Sequence, residues 1–282
     1  MAWKPSGWAP SRARKLQRRR IYGRQVDSDD ETRPTKPSVA MVERCARLTL
    51  EDHAPKVALI TGAASGIGAE IATLLSKRDW RVAGLDLHGP KTDLSLIADV
   101  ADPAAVRAAV DQATRELGPI SLLVTVAGHY EMLSISEIRR ERWHRMLAVH
   151  LGGTRNACMA TLPGMLEEGR GHIITISSEL ALAGGDEDAH YVAAKGAIIG
   201  FTKSLAAEVA GRGVRVNSVA PGPTDTPLLA PDSPWRDTLF LESLPLRRLV
   251  RPEEVAETVL FLVEQGDYFC GQVLSPNAGA VI

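Results

Sequence analysis

Cysteine is scarce: three in 282 residues, Cys45, Cys158 and Cys270. An odd, scattered set with no C-x-x-C pair excludes a disulfide framework and a zinc-binding ribbon. Cys158 falls in an apolar helical stretch, where a small buried side chain is expected. An excess of one charge is also missing. The 33 lysines and arginines are balanced by 34 acids, so no global field marks the chain for nucleic acid. Nor is there a run of eighteen apolar residues, the length that spans a bilayer. What is present is enough apolar sequence, 45% of the chain, for one sizeable core.

Charge is unevenly placed, however. The first 24 residues hold eight lysines and arginines and no acid, most densely from Ser11 to Arg20. Asp27, Asp29, Asp30 and Glu31 follow, then Pro34 and Pro37. A segment of this kind builds no core, so residues 1–54 are expected to form a disordered extension. Three readings stay open. One is an arginine-rich targeting peptide, against which serines are few and apolar periodicity is weak. Another is a basic arm for nucleic acid or anionic membrane. The favoured one is an appendage without catalytic role, because Met41 stands shortly before the domain.

From residue 55 to 282, apolar runs alternate with helical stretches. Strands are expected at 56–61, 80–85, 95–98, 120–126, 171–177, 213–219 and 272–275. Helices are expected at 66–78, 103–117, 136–167, 188–211, 235–242 and 252–264. This alternation predicts an α/β fold: a single Rossmann-type, doubly wound parallel sheet with helices on both faces. Pro252, Glu253 and Glu254 open the last helix with acids in its first turn. The stretch from Asp86 to Asp99 is too short for a full crossover helix.

Two constellations carry chemistry. Tyr191 and Lys195 stand four apart, on one helical face, with Ser178 thirteen residues upstream at a strand end. A phenol ordinarily titrates near 10, and a fixed ammonium favours its phenolate; the serine supplies a hydroxyl to hold a reacting oxygen. Upstream, Val57–Ile60 leads into Thr61-Gly62-Ala-Ala-Ser65-Gly66-Ile67-Gly68 and then a helical stretch. Strand, glycine turn and helix make a dinucleotide-binding motif credible, with a pyrophosphate at the helix N-terminus. Asp86, at the end of the second strand, suits two ribose hydroxyls and repels a 2′-phosphate. No lysine or arginine occupies Ala63 to Ser65 or Leu87. NAD is therefore expected over NADP.

On these motifs the chain resembles the short-chain dehydrogenase/reductase family from about residue 55 onward, roughly four-fifths of its length. The matching pieces are TGAASGIG (61–68), Asp86, ADV (98–100), VAG (126–128), ISS (176–178), YVAAK (191–195), RVNSVAPGPTDTP (215–227) and CGQVL (270–274). The resemblance implies that Tyr191 is the acid/base, that Lys195 holds the nicotinamide ribose and lowers the tyrosine pKa, and that Ser178 positions the substrate oxygen. It implies that Asp99 and Val100 contact the adenine and that Ala127 and Gly128 lie along the cofactor. Pro221, Gly222, Thr224 and Thr226 would face the nicotinamide and its phosphates. It further implies a cytoplasmic homo-oligomer, dimer or tetramer, joined through the long helices, with no metal, no nucleic acid and no membrane partner. The short connection after the second strand is shared with a subset of NAD-linked relatives.

Two departures stand out. The family usually reads N-N-A-G where this chain has Thr125-Val126-Ala127-Gly128. Its helix asparagine, in a V-N-x-x-G setting, is replaced by His150. His150 is either a proton relay in the asparagine's place or a packed, hydrogen-bonded helix residue.

The reaction expected is hydride transfer between NAD(H) and a secondary alcohol or ketone. Leu228, Leu229, Trp235, Leu239, Phe240 and Leu244 would form an apolar lid over a hydrophobic or cyclic substrate, or bury against a partner subunit. Arg236, Arg247 and Arg248 would meet an anionic substrate or remain solvated. The acids of Gly184-Gly185-Asp186-Glu187-Asp188 speak against a strongly anionic one. Alternatives are a dehydrogenase that aromatises a cyclic dihydrodiol, and a nucleotide-binding scaffold without catalysis.

Overall fold

A computed structural model describes residues 56–282; the expectations for residues 1–54 lie outside them. The elements run β1 (Val57–Thr61), α1 (Gly66–Ser76), β2 (Arg81–Asp86), β3 (Leu94–Ile97), α2 (Pro103–Leu117), β4 (Leu122–Thr125), α3 (Arg140–Leu147) and α4 (Gly153–Glu168). Then come β5 (Gly171–Ile176), α5 (Leu180–Ala183), α6 (Ala189–Val209), β6 (Val214–Val219), α7 (Thr238–Ser243), α8 (Pro252–Glu264) and β7 (Val273–Leu274).

The seven strands form one parallel sheet in the order β3-β2-β1-β4-β5-β6-β7. The order reverses between β1 and β4, which is where open α/β sheets place ligands. Helices cover both faces, so the strands read as unbroken apolar runs rather than alternating ones. In β1, Val57 and Leu59 join one core while Ala58 and Ile60 join the other. Successive side chains simply point to opposite faces.

Residues 87–93 connect β2 to β3 without a helix. This short link also satisfies β2: Asp93 Oδ2 accepts the Val82 amide at 2.7 Å, and Thr92 Oγ1 accepts the Gly84 amide at 3.1 Å.

One element departs from the expected pattern. The single helix expected at 136–167 starts at Arg140 and is interrupted at Ala148–Gly152 by a π-helical turn. Such turns are rare and concentrate at functional sites. This one carries His150 into the interior, at 2% exposure. Hydrophobic periodicity does not register a one-residue insertion in the helical ladder, so the sequence reads as continuous. Ala157, Ala160 and Ala194 are buried in the chain's own core, whereas Ala193 and Gly200 face outward.

Candidate active site

The site opens along the C-terminal strand ends, as a cavity of about 540 Å³. Gly62, Ser65, Gly66, Ile67 and Asp86 line one end; Ser178, Tyr191, Lys195 and Trp235 line the other. Between them lie Asp99, Val100, Ala127, Gly128, His150, Pro221, Gly222, Thr224 and Thr226. Of the residues picked out from the sequence as catalytic or cofactor-binding, Gly68 alone is absent from the wall. It works behind it: a Cβ there would stand 2.1 Å from Gly62 O, so only glycine lets α1 begin this close to the turn.

No side chain caps α1, since Ser65 makes no capping bond. The first-turn amides are left for an outside anion. Asp86 is fixed by two backbone amides, Ala64 on Oδ2 at 3.0 Å and His88 on Oδ1 at 3.2 Å. An uncapped helix start, a glycine cradle and an acid at the next strand end together fit a dinucleotide. Asp99 is already engaged: it accepts the Ala101 amide at 2.9 Å and pairs with Arg145 at 2.9 Å. These bonds, the Ala101 amide first and Arg145 after it, hold its carboxyl below the usual range.

At the other end, β5 delivers Ser177 and Ser178, and α6 delivers Tyr191 and Lys195. Ser177 Oγ donates to Lys195 O at 2.8 Å, and Lys195 Nζ donates to Ile176 O at 2.9 Å. These bonds stitch the strand end to the helix and hold the ammonium 5.7 Å from the centre of the Tyr191 ring. Burial brings Lys195 down to about 8. Burial also pushes the Tyr191 phenol up; Glu179 adds to the rise and the Ser178 hydroxyl opposes it. The lowering expected from the lysine does not appear, because desolvation of a buried phenolate dominates.

Other groups stand where the family has its two asparagines. Thr61 Oγ1 accepts the Val126 and Ala127 amides at 3.0 and 3.2 Å, and Thr154 donates to Thr125 across buried hydroxyls at 3.3 Å. These ties brace β1, β4 and α4. His150 Nε2 lies 2.8 Å from His129 O and 3.1 Å from His129 N, and its ring meets Tyr191 edge-on at 5.5 Å. Burial, helped by the Lys195 charge, holds His150 well below its ordinary value, so it stays neutral. Among the described residues it makes no hydrogen bond to Tyr191 or Lys195.

The lid residues divide. Leu228, Leu229 and Trp235 line the cavity, Leu239 is exposed and Leu244 is buried in the fold. Trp235 Nε1 donates to Tyr130 Oη at 3.0 Å. Two of the three arginines are committed elsewhere. Arg236 pairs with Asp225 at 2.8 Å and reaches Leu229 O, and Arg248 pairs with Glu254 at 2.7 Å. They brace loops and give no anion site.

Several wall residues were not picked out from the sequence: His129, Tyr130, Glu131, Arg145 and Glu179. Glu179 had a signal, an acid directly after Ser178 at the end of a buried strand. The others arrive from the loop after β4 and from α3, with no motif to mark them.

A family profile described as enoyl-(acyl carrier protein) reductase matches residues 62–280. The chain belongs to the short-chain dehydrogenase/reductase family. Among its relatives, D-threitol dehydrogenase of Mycolicibacterium smegmatis is 38% identical over 222 residues, covering 73% of this chain and 85% of that one. The 3-oxoacyl-(acyl-carrier-protein) reductase of Thermotoga maritima is 32% identical over 241 residues, covering 80% and 98%. Among solved structures, the ligand-free aldohexose dehydrogenase of Thermoplasma acidophilum superposes with a TM-score of 0.75 at 32% identity, over 80% of this chain and 93% of that one. As a short-chain dehydrogenase/reductase, the protein is an oxidoreductase that binds a nicotinamide dinucleotide. Among the described residues no helix is long and apolar enough to cross a membrane, and no cluster of His, Cys, Asp and Glu is arranged to hold a metal.

Proposed function

We propose that the protein is an NAD-dependent dehydrogenase that oxidises a compact secondary alcohol, or reduces the matching ketone. The observation that carries this reading is the shared cavity: Ser178, Tyr191 and Lys195 at one end, the fixed Asp86 carboxylate at the other. Asp86 supports NAD, because a 2′-phosphate would meet an anion there.

The bound dinucleotide supplies the hydride acceptor. The chain's part is to hold the substrate oxygen between the Ser178 hydroxyl and Tyr191 Oη and to move one proton. In oxidation Tyr191 Oη receives the hydroxyl proton; in reduction it returns it. Lys195, anchored to Ile176 O, stabilises the phenolate when positive charge accumulates around it.

The wall supports a substrate with both apolar and hydroxyl-bearing parts. Leu180, Leu228, Leu229 and Trp235 offer apolar contact, while Glu131 and Glu179 disfavour an anionic one. Two similar proteins, the D-threitol dehydrogenase and the aldohexose dehydrogenase, are named for hydroxylated substrates, which supports one here. A cyclic dihydrodiol is the second reading, favoured by the apolar wall. Homodimers or homotetramers through α4 and α6 would use the outward-facing Met159, Ala193 and Gly200; sedimentation velocity tests this.

The function is tested by initial rates with NAD and NADP over a panel of secondary alcohols. NADH formation with at least one alcohol supports the reading, and no turnover across the panel, with the dinucleotide bound, refutes it.

A further inference from the structure

A serine hydroxyl has three hydrogen-bonding places, one donor and two acceptors. Two of those on Ser178 are taken within the chain. Its hydrogen goes to Glu179 Oε2 at 2.9 Å, and one lone pair accepts the Leu180 amide at 3.2 Å. Only a lone pair remains. A reacting oxygen that gathers negative charge needs the opposite, a donor. With its hydrogen on Glu179, Ser178 is therefore turned the wrong way for the role its position assigns.

Glu179 is the cause, and it is placed as a site residue. It is 4% exposed, its amide is anchored to Pro221 O at 3.0 Å, and it lines the cavity beside Ser178 and Tyr191. Among the described residues no cation pairs with it. From α6 it faces the Tyr191 phenol and Asp188 precedes that helix; Pro221 and Gly222 bring no titratable group. Lys195 is turned to Ile176 O. A carboxylate buried in a substrate cavity without a counter-ion is left to accept hydrogens from whatever binds.

We propose that Glu179 selects vicinal diols, in either direction of reaction, by exchanging its Ser178 contact for a substrate hydroxyl. The hydroxyl on the carbon next to the reacting one donates to Glu179, and the freed Ser178 hydrogen turns to the reacting oxygen. Neighbouring oxygens of a gauche diol lie about one hydrogen-bond length apart, which matches the 2.9 Å between Ser178 Oγ and Glu179 Oε2. The neighbouring hydroxyl is not consumed: the carbinol loses its hydride to the dinucleotide and its proton to Tyr191, leaving an α-hydroxyketone. A mono-alcohol has nothing to offer Glu179 and must draw Ser178 away from it uncompensated. This assignment deepens the dehydrogenase reading and rests on it.

The test compares kcat/KM, with NAD, for two matched pairs taken over all stereoisomers: a vicinal butanediol against sec-butanol, and vicinal cyclohexanediol against cyclohexanol. A hydrogen bond to a buried charged group is worth about tenfold to a hundredfold, so in at least one pair the diol should lead by about tenfold or more. Glu179→Gln should collapse that lead to within about threefold, mainly through the diol. Burial raises the Glu179 carboxyl to about 7, so the lead should grow as pH rises through neutrality in the wild type and stay flat in Glu179→Gln. Calorimetric binding of the diol to the enzyme–NADH complex should weaken in the variant, with NADH affinity unchanged. If Glu179→Gln does not fold, Glu179→Asp carries the test: the lead must fall while its rise with pH persists. A wild type that prefers neither member of either pair, or a lead that the variant leaves intact, overturns the assignment. Absence of turnover on every alcohol, by contrast, removes the dehydrogenase reading itself.

Discussion

The imidazole of His150 lies on Gly128. A Cβ at residue 128 would stand 2.3 Å from His150 Cε1 and 2.9 Å from Nδ1, far inside contact distance. The ring thus occupies space that no other residue at 128 would leave free, and its edge presses on Tyr191. Of the two roles open to His150 from sequence, this geometry supports the packed one.

Gly128→Ala should therefore weaken cofactor binding and stability unless the ring is removed as well. His150→Ala alone should cost about 2 kcal/mol or more through the cavity it leaves. The double variant should be more stable than the two single losses add up to, because the clash and the cavity cancel; denaturant unfolding of the four proteins measures this. The midpoint of the pH–rate profile should not move in His150→Ala, since the ring stays neutral. A displaced midpoint would make His150 a proton relay after all.

Tyr191→Phe should reduce kcat by about a hundredfold or more, the scale of general acid–base catalysis. The ring keeps its packing against Tyr130 and His150, so NADH affinity, read by fluorescence titration, should hold. Near-normal turnover would take the phenol out of the reaction.

Asp86→Ala should lower kcat/KM for NAD by about tenfold and narrow the gap to NADP, because it removes both a ribose acceptor and the charge that repels a 2′-phosphate. It also frees the Ala64 amide that Asp86 holds at 3.0 Å, so a lower melting temperature should accompany the change. A wild type that prefers NADP(H) would overturn the cofactor assignment.

Glu179 should leave a mark on stability too. A carboxyl whose pKa rises on folding, here from 4.5 to about 7 by burial, binds its proton more tightly in the folded chain. Its contribution is whole below pH 4.5 and is lost as pH climbs through 7. At about 1.4 kcal/mol for each pH unit, the loss across that window is about 3 kcal/mol at most. Glu179→Gln should remove that slope from a series of urea unfolding curves taken between those pH values. An unchanged slope would show that Glu179 keeps an ordinary pKa when folded.

Much of the framework was legible in the chain because local rules write it. Apolar runs bounded by glycine and proline mark the strands; the expected spans for α2 and α8 coincide with the observed ones, each opened by a proline at its first turn. The glycine turn, Asp86 and the Ser178–Tyr191–Lys195 set could be named because each motif carries its own spacing. The lid was legible only in part: apolar character alone does not say that Trp235 turns inward while Leu239 turns outward.

What the sequence alone determined is therefore the sheet, the glycine turn and the candidate residues Ser178, Tyr191 and Lys195, legible from periodicity and from motifs with their own spacing. The tertiary structure alone decided who touches whom. It brought in the π turn that drives His150 onto Gly128, the hydroxyl ties around Thr125–Ala127, and the Glu179 carboxylate that captures the hydrogen of Ser178. Desolvation and hydrogen-bond partnership depend on atoms distant in the chain, so they come into being only when the strands and helices have packed.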